Sequence, residues 1–249
     1  MPILTLDIGN STAKIAIADN GRRTIDVTTV SHSDIVATAD KLRRTADINQ
    51  CIMASVATCG TEICKVLNDN GLSVSTLSAD SNLTFQIDYS TPSTLGADRI
   101  AAVAGAISEF GRRDMLIIDA GTAVTYELVT ADGVYRGGNI APGLSMRLQA
   151  LHAFTGKLPL VDTSELERCH LIGQSTREAI AAGVVNGMNF EAEGYFRHLR
   201  EKLPHLKTIV LTGGDHKYFD LKVKSDIFAR PNLVTDGLAA LSLLPQKYV

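Results

Sequence analysis

The segments Leu6-Asp7-Ile8-Gly9-Asn10-Ser11-Thr12 and Ile118-Asp119-Ala120-Gly121-Thr122-Ala123-Val124 repeat one pattern. In each, an apolar run (Ile3 to Leu6, then Met115 to Ile118) ends in Asp-x-Gly, and a second apolar run starts at once. The two copies lie 112 residues apart in a chain of 249, one near the start of each half. A single Asp-x-Gly after a strand describes any hairpin. Two copies, each opening a half-chain, predict two related lobes with a glycine turn in each. A tight glycine turn leaves backbone N–H groups free to hold phosphate oxygens, and an Asp at the strand end can hold a cation. The pair therefore predicts a cleft that grips a nucleoside triphosphate from both sides.

The rest of the chain fits an α/β protein. Residues 3–7, 13–19 and about 23–30 read as strands, the last two joined by an Asn20-Gly21 turn, followed by a helix from Ser33 or Asp34 to about Thr45. A strand over 51–56, a helix over 60–70 and a strand over 73–77 complete the first lobe, before a polar loop at 79–94. Leu95, Ile100, Val103, Ala104, Ile107 and Phe110 keep helical spacing and predict a helix that links the lobes. The second half again opens with three strands, 115–119, 123–129 and 134–140. Helices near 143–154 and 175–202, strands at 207–212 and 224–228, and a helix over 235–244 started by Thr235 or Asp236 follow. The expected domains are 1–112, including the linking helix, and 113–249, each a mixed sheet flanked by helices.

Composition narrows the function classes. A net charge of −3 gives no reason to expect nucleic acid or an anionic membrane as partner. No apolar run approaches spanning length, and Met1-Pro2-Ile3-Leu4 enters a strand without a basic leader, so a cytoplasmic protein is expected. The four cysteines and six histidines have no zinc-ligand spacing.

Several residues can carry chemistry. Gly9 allows close backbone approach, while Asn10, Ser11 and Thr12 add short polar groups. Lys14 either reaches an outer phosphate or is the solvent-side member of an alternating strand. Thr122 offers a hydroxyl to phosphate, and the duplication favours Asp119 as a cation ligand over a carboxylate that merely satisfies its hairpin. Asp98 falls in a helix's first turn, where it complements the dipole, and this alone would explain it. The functional reading is a general base, kept ionised by the dipole and by Arg99, with Arg99 also neutralising an anionic substrate or the transferring phosphoryl group. The clusters Gly137-Gly138-Asn139-Ile140-Ala141-Pro142-Gly143 and Thr212-Gly213-Gly214 leave room for a ligand against backbone. Ala179, Ile180, Ala182, Val184, Val185 and Met188 suit either a subunit interface or an intrachain core.

The ordered set Asp7-Ile8-Gly9-Asn10, Gly96-Ala97-Asp98-Arg99, Asp119-x-Gly121-Thr122, Gly137-Gly138-x-Ile140-x-Pro142-Gly143 and Thr212-Gly213-Gly214 resembles the type III pantothenate kinases. The resemblance implies two duplicated lobes of the actin/hexokinase/Hsp70 (ribonuclease H-like) type, with an ATP cleft between them. It implies phosphorylation of the primary hydroxyl of pantothenate by ATP, with Mg²⁺ and a monovalent cation, K⁺ or NH₄⁺. By that similarity Asp7, Ile8, Gly9, Asn10, Ser11, Thr12, Ala13 and Lys14 bind ATP, as does Thr122. Asp98 accepts the proton, Tyr89, Gly96, Ala97, Arg99 and Thr176 meet pantothenate with it, and Asp119 binds K⁺. A homodimer is also implied, with the Thr176 region packed across its interface. A non-catalytic ATP-binding regulator and another small-molecule kinase of the same superfamily are the alternative readings.

Overall fold

The computed structural model describes residues 2–19, 23–166 and 169–245; the expected Asn20-Gly21 turn lies outside the described residues. The first half contains β1 (Ile3–Ile8), β2 (Ala13–Asp19), β3 (Arg23–Val30), α1 (Ile35–Ala46), β4 (Gln50–Ser55), α2 (Gly60–Asp69) and β5 (Ser73–Thr76). The polar loop that follows holds the two-residue strand β6 (Gln86–Ile87) and a short 3-10 turn at Pro92–Thr94, and then α3 (Ala97–Phe110) begins. The second half contains β7 (Met115–Ala120), β8 (Ala123–Thr130), β9 (Val134–Pro142), α4 (Leu144–Ala153), α5 (Thr176–Lys202), β10 (Thr208–Thr212), β11 (Asp226–Ala229) and α6 (Leu233–Leu241).

The duplication seen in sequence is a duplication of topology. One sheet has the order β3-β2-β1-β4-β5; the other has β11-β10-β7-β8-β9-β6. Read from its far end, the second is the first sheet's order with β6 added beyond β9. In both, the opening strand runs parallel to a later one: β1 beside β4, and β7 beside β10. Parallel strands are covered on both faces, which is why Met115 to Ile118 and all of β10 are buried runs rather than alternating ones.

By density of contacts the chain divides into two units. One comprises Met1–Arg113, Glu127–Gly137 and Asn232–Val249; the other comprises Asp114–Tyr126 and Gly138–Pro231. The two units interleave along the chain, so β8 and β9 each contribute residues to both. The first has a core that includes Leu6, Ile15, Ile35, Met53, Ile63, Leu67 and Val74. The second is built around Leu116, Ile118, Tyr126, Leu148, Met188, Phe196 and Leu211. Of the apolar residues on α5, Ile180, Val184, Val185 and Met188 belong to that second core, whereas Ala179 is exposed. No helix among the described residues is long and apolar enough to cross a membrane.

Two helical details position the site. Every residue of α3 from Arg99 to Ile107 is buried, so it is an interior helix rather than an amphipathic one. It packs within the first unit against α6, and the contact is backbone on backbone. A Cβ on Gly237 would stand 1.8 Å from the Ala101 carbonyl oxygen, and one on Gly105 would stand 2.3 Å from that of Leu233. The start of α6 differs from the sequence expectation: the helix begins at Leu233 behind Asn232, not at Thr235 or Asp236. Asp236 is occupied elsewhere, its Oδ1 accepting from the Thr24 N–H (2.8 Å) and hydroxyl (2.7 Å). A partner 212 residues distant leaves no local signal.

Because the obstacle is backbone, it cannot rotate away. Gly237→Ala should lower the unfolding free energy by at least about 1–3 kcal/mol, the usual cost of overpacking. Chemical denaturation checks this; an unchanged midpoint would contradict the helix contact.

Candidate active site

The register of β1 on β2 pairs Asp7 with Lys14 and Ile8 with Ala13. Between them the Gly9 N–H donates to the Thr12 carbonyl at 3.0 Å, closing the turn. Ile8 and Ala13 are buried anchors, Asp7, Gly9 and Lys14 are half-buried, and Asn10, Ser11 and Thr12 are exposed. The turn is held from two other elements. The Val56 N–H, just past β4, donates to the Ile8 carbonyl at 3.1 Å, and His32 Nε2 lies 2.9 Å from the Gly9 carbonyl oxygen.

Asp98 sits in the first turn of α3 with its carboxylate folded back. Its Oδ1 accepts from the Arg99 N–H at 2.8 Å. A Cβ on Gly96 would stand 2.5 Å from that oxygen and 3.6 Å from Val56 Cγ1. Gly96 is therefore the space that the carboxylate occupies. Val56 connects this space to the end of β1, so one unit carries both Asp98 and the Asp7–Lys14 turn.

The electrostatics of Asp98 include influences beyond its neighbours in sequence. Burial is the largest influence and raises its pKa; the Glu127 charge raises it further, while the Arg99 N–H and guanidinium pull it down. The net direction is upward. A carboxylate shifted this way is a better proton acceptor than an ordinary one.

Arg99 is more deeply engaged than its sequence neighbourhood suggests. The residue is 6% exposed, and Nε and one terminal nitrogen meet the two oxygens of the fully buried Glu127 at 2.7 and 2.8 Å. The same terminal nitrogen reaches the Tyr135 hydroxyl at 2.9 Å. Its charge is thus balanced inside the protein. Tyr89, half-buried, lies with its ring centroid 5.9 Å from the guanidinium carbon and 6.2 Å from the Tyr135 ring. Gly137 adopts φ +94°, a left-handed conformation that favours glycine, and lies beside the Tyr89 ring, which a Cβ there would meet at 3.4 Å in ordinary contact. Sequence reasoning missed Glu127, Tyr135 and His32. The one available signal was a lone acidic residue in the apolar and neutral run Val124-Thr125-Tyr126-Glu127-Leu128-Val129.

The second unit gathers another set. Asp119, the last residue but one of β7, lies opposite Thr212 of β10. Gly213, at φ +84°, passes so close that a Cβ would stand 2.5 Å from Asp119 Oδ1 and 2.3 Å from the Ala120 carbonyl oxygen. The Asp215 N–H donates to that same carbonyl at 2.9 Å. The Gly143 N–H donates to the Thr122 carbonyl at 3.1 Å, and a Cβ on Gly143 would stand 2.3 Å from the Gly121 carbonyl oxygen. Asp119, Gly121, Thr122, Gly143 and Gly213 therefore form one cluster of strand ends. Arg147 steadies it, donating to the Pro142 carbonyl (2.7 Å) and to Glu191 (2.8 Å), which also accepts from the Tyr126 hydroxyl. Thr176, exposed, is the first residue of α5 behind the Ser175 cap, whose hydroxyl accepts from the Glu178 N–H at 3.3 Å.

Among the described residues no group of three or more His, Cys, Asp or Glu is placed to hold a metal. Asp7 and Asp119 are half-buried carboxylates at strand ends. Their hard oxygens fit a cation whose remaining ligands are phosphate oxygens and water, the common manner for Mg²⁺.

The geometry has counterparts in known proteins. Among solved structures, the chain resembles the activator of 2-hydroxyisocaproyl-CoA dehydratase from Clostridium difficile with bound ADPNP (TM-score 0.57, 16% identity, 97% of this chain and 94% of that one). It also resembles the ROK hexokinase of Thermus thermophilus (TM-score 0.53, 15% identity, 97% of each). These likenesses show the actin/hexokinase-like fold. In sequence it is 44% identical over 235 residues to the type III pantothenate kinase of Phocaeicola vulgatus, covering 94% of this chain and 95% of that protein. Residues 3–198 match the family model for type III pantothenate kinase. The chain belongs to the type III pantothenate kinase family.

Proposed function

We propose that this enzyme transfers the γ-phosphoryl group of ATP to the primary hydroxyl of pantothenate, giving 4′-phosphopantothenate at the entry to coenzyme A synthesis. The observation that carries the reading is Asp98. It is a half-buried carboxylate of raised basicity, given room by Gly96 and joined through Val56 to the glycine turn of β1. Asp98 takes the hydroxyl proton as the substrate oxygen bonds to the γ-phosphorus, and the bond from that phosphorus to the bridging oxygen of ADP breaks. Asp7, Ile8, Gly9, Asn10, Ser11, Thr12, Ala13 and Lys14 hold the ATP phosphates, with Thr122 as a further contact. Tyr89, Gly96, Ala97, Arg99 and Thr176 bind pantothenate.

Mg²⁺, when bound, spreads the phosphate charge, and Asp7 or Asp119 supplies its protein oxygen. Asp119 also serves the monovalent cation, K⁺ or NH₄⁺. The working form is a cytoplasmic homodimer. Its support is apolar surface left open on the second unit: Leu171 and Ile172, shortly before Thr176 in sequence, are 67% and 77% exposed, and Phe190, further along α5, is 55% exposed.

A coupled ADP-release assay with pantothenate, glycerol and hexoses in parallel tests the reading. Turnover with pantothenate alone is expected. Turnover with a hexose instead would indicate another kinase of the fold, and ATP binding without any turnover would indicate a regulator.

Asp98→Asn keeps the shape and removes the base, so kcat should fall by about 10²–10⁴-fold while the ATP dissociation constant stays nearly constant. Parent-level turnover would remove the assignment. For Asp119, activity in K⁺ or NH₄⁺ should exceed that in Na⁺ at equal ionic strength; equal rates would argue against a monovalent-ion role.

A further inference from the structure

We propose that Glu127, with Tyr135, is a positioning residue for phosphoryl transfer: it holds Arg99, and through Arg99 the first turn of α3, so that the Asp98 carboxylate stays folded over Gly96. This rests on the reading of Asp98 as proton acceptor.

Arg99 belongs to both sides of the link. Its backbone N–H binds Asp98 Oδ1 at 2.8 Å, and its side chain is clamped by Glu127 in two parallel bonds of 2.7 and 2.8 Å. Two-point pairing fixes the plane of a guanidinium as well as its position, which a single bond or a Lys ammonium cannot do. Tyr135 closes the ring of bonds. Its hydroxyl donates to Glu127 Oε2 at 2.6 Å and accepts from Arg99 at 2.9 Å, using both capacities of a phenol. All three residues are buried, at 6%, 0% and 1% exposure.

Stability alone is a poor reason for this arrangement. Replacing a buried ion pair by apolar side chains of similar volume is often neutral or stabilising, because both charges must be stripped of water. What the pair provides is a defined geometry at the base of Asp98. The location of Glu127 fits: the segment Glu127–Gly137 belongs to the same unit as α3, although it comes from the second half of the chain. The charges acting on Asp98 are Arg99 on its own helix and Glu127 on β8, so the positioning group also sets the field at the carboxylate.

A double-mutant cycle with pantothenate and ATP tests the proposal. Glu127→Gln preserves shape but breaks the two-point charge pairing. We expect turnover to fall by about 10–100-fold, the range for losing a group that orients a site residue, with the KM for ATP within about twofold. Combined with Asp98→Asn, the same change should cost no more than about twofold further, because the group it positions has already been disabled. A purely structural role predicts the same fractional loss in both backgrounds. That result, or turnover within about twofold of the parent in folded Glu127→Gln protein, would overturn the proposal.

Tyr135→Phe is the milder variant, decisive if Glu127→Gln does not fold. A loss of about three- to tenfold confined to the background with Asp98 intact supports the proposal, and no loss or equal losses overturn it. The two levels remain separable. If Asp98→Asn itself turns over like the parent, the proton-acceptor reading fails and this inference with it. If Asp98→Asn is impaired but neither variant shows coupling, only the positioning role fails.

Discussion

The backbone contact between α3 and α6 is the constraint on which the site's geometry depends. Gly105 and Gly237 allow two interior helices to meet with carbonyls where side chains would ordinarily stand. Helix α3 is thereby fixed along its length, and its first turn can present Asp98 at a set place. At that first turn the buried Arg99–Glu127 pair adds an orientational restraint. The α6 end is restrained in turn by Asp236, which holds β3 through Thr24. Packing thus sets where the carboxylate is, and a desolvated ion pair sets how it is turned.

Duplication explains the framework better than it explains the chemistry. Both sheets keep one strand order, and both opening hairpins carry Asp and Gly at the strand end. The turns have nevertheless diverged. Gly9 donates to a carbonyl three residues on, whereas Gly121 donates to one only two residues on, at Ala123. Around the second, Gly143 and Gly213 bring further backbone against the strand ends; around the first, His32 and Val56 do the bracing. Equivalent backbone cradles have been given different neighbours, consistent with distinct tasks.

How legible this was from the chain depends on the range of the interaction. Strands such as Met115–Ala120 and Ala123–Thr130 were readable because their burial is written as unbroken or alternating apolar residues. Asp98, Gly96, Asp119 and Gly213 were visible as short motifs. The start of α6 was misplaced because Asp236, a good local cap, is committed to a distant strand. The pairing of Arg99 with Glu127 was not legible, because that partner lies 28 residues away on another strand. The upward shift of Asp98 was not legible for a related reason: helix dipole and Arg99 are neighbours in sequence, but burial, the largest influence, is a property of the assembled fold.

The most direct test of the central claim, that Asp98 receives the substrate's proton, is the pH dependence of kcat/KM for pantothenate. A base must be unprotonated to act, so activity falls as pH drops through its pKa, and here that acid limb should lie above the ordinary carboxylate value of 3.8. In Asp98→Asn protein the limb should disappear, leaving a low residual rate without that inflection. A limb at unchanged pH in the Asn variant would mean that another group accepts the proton, and would contradict the account.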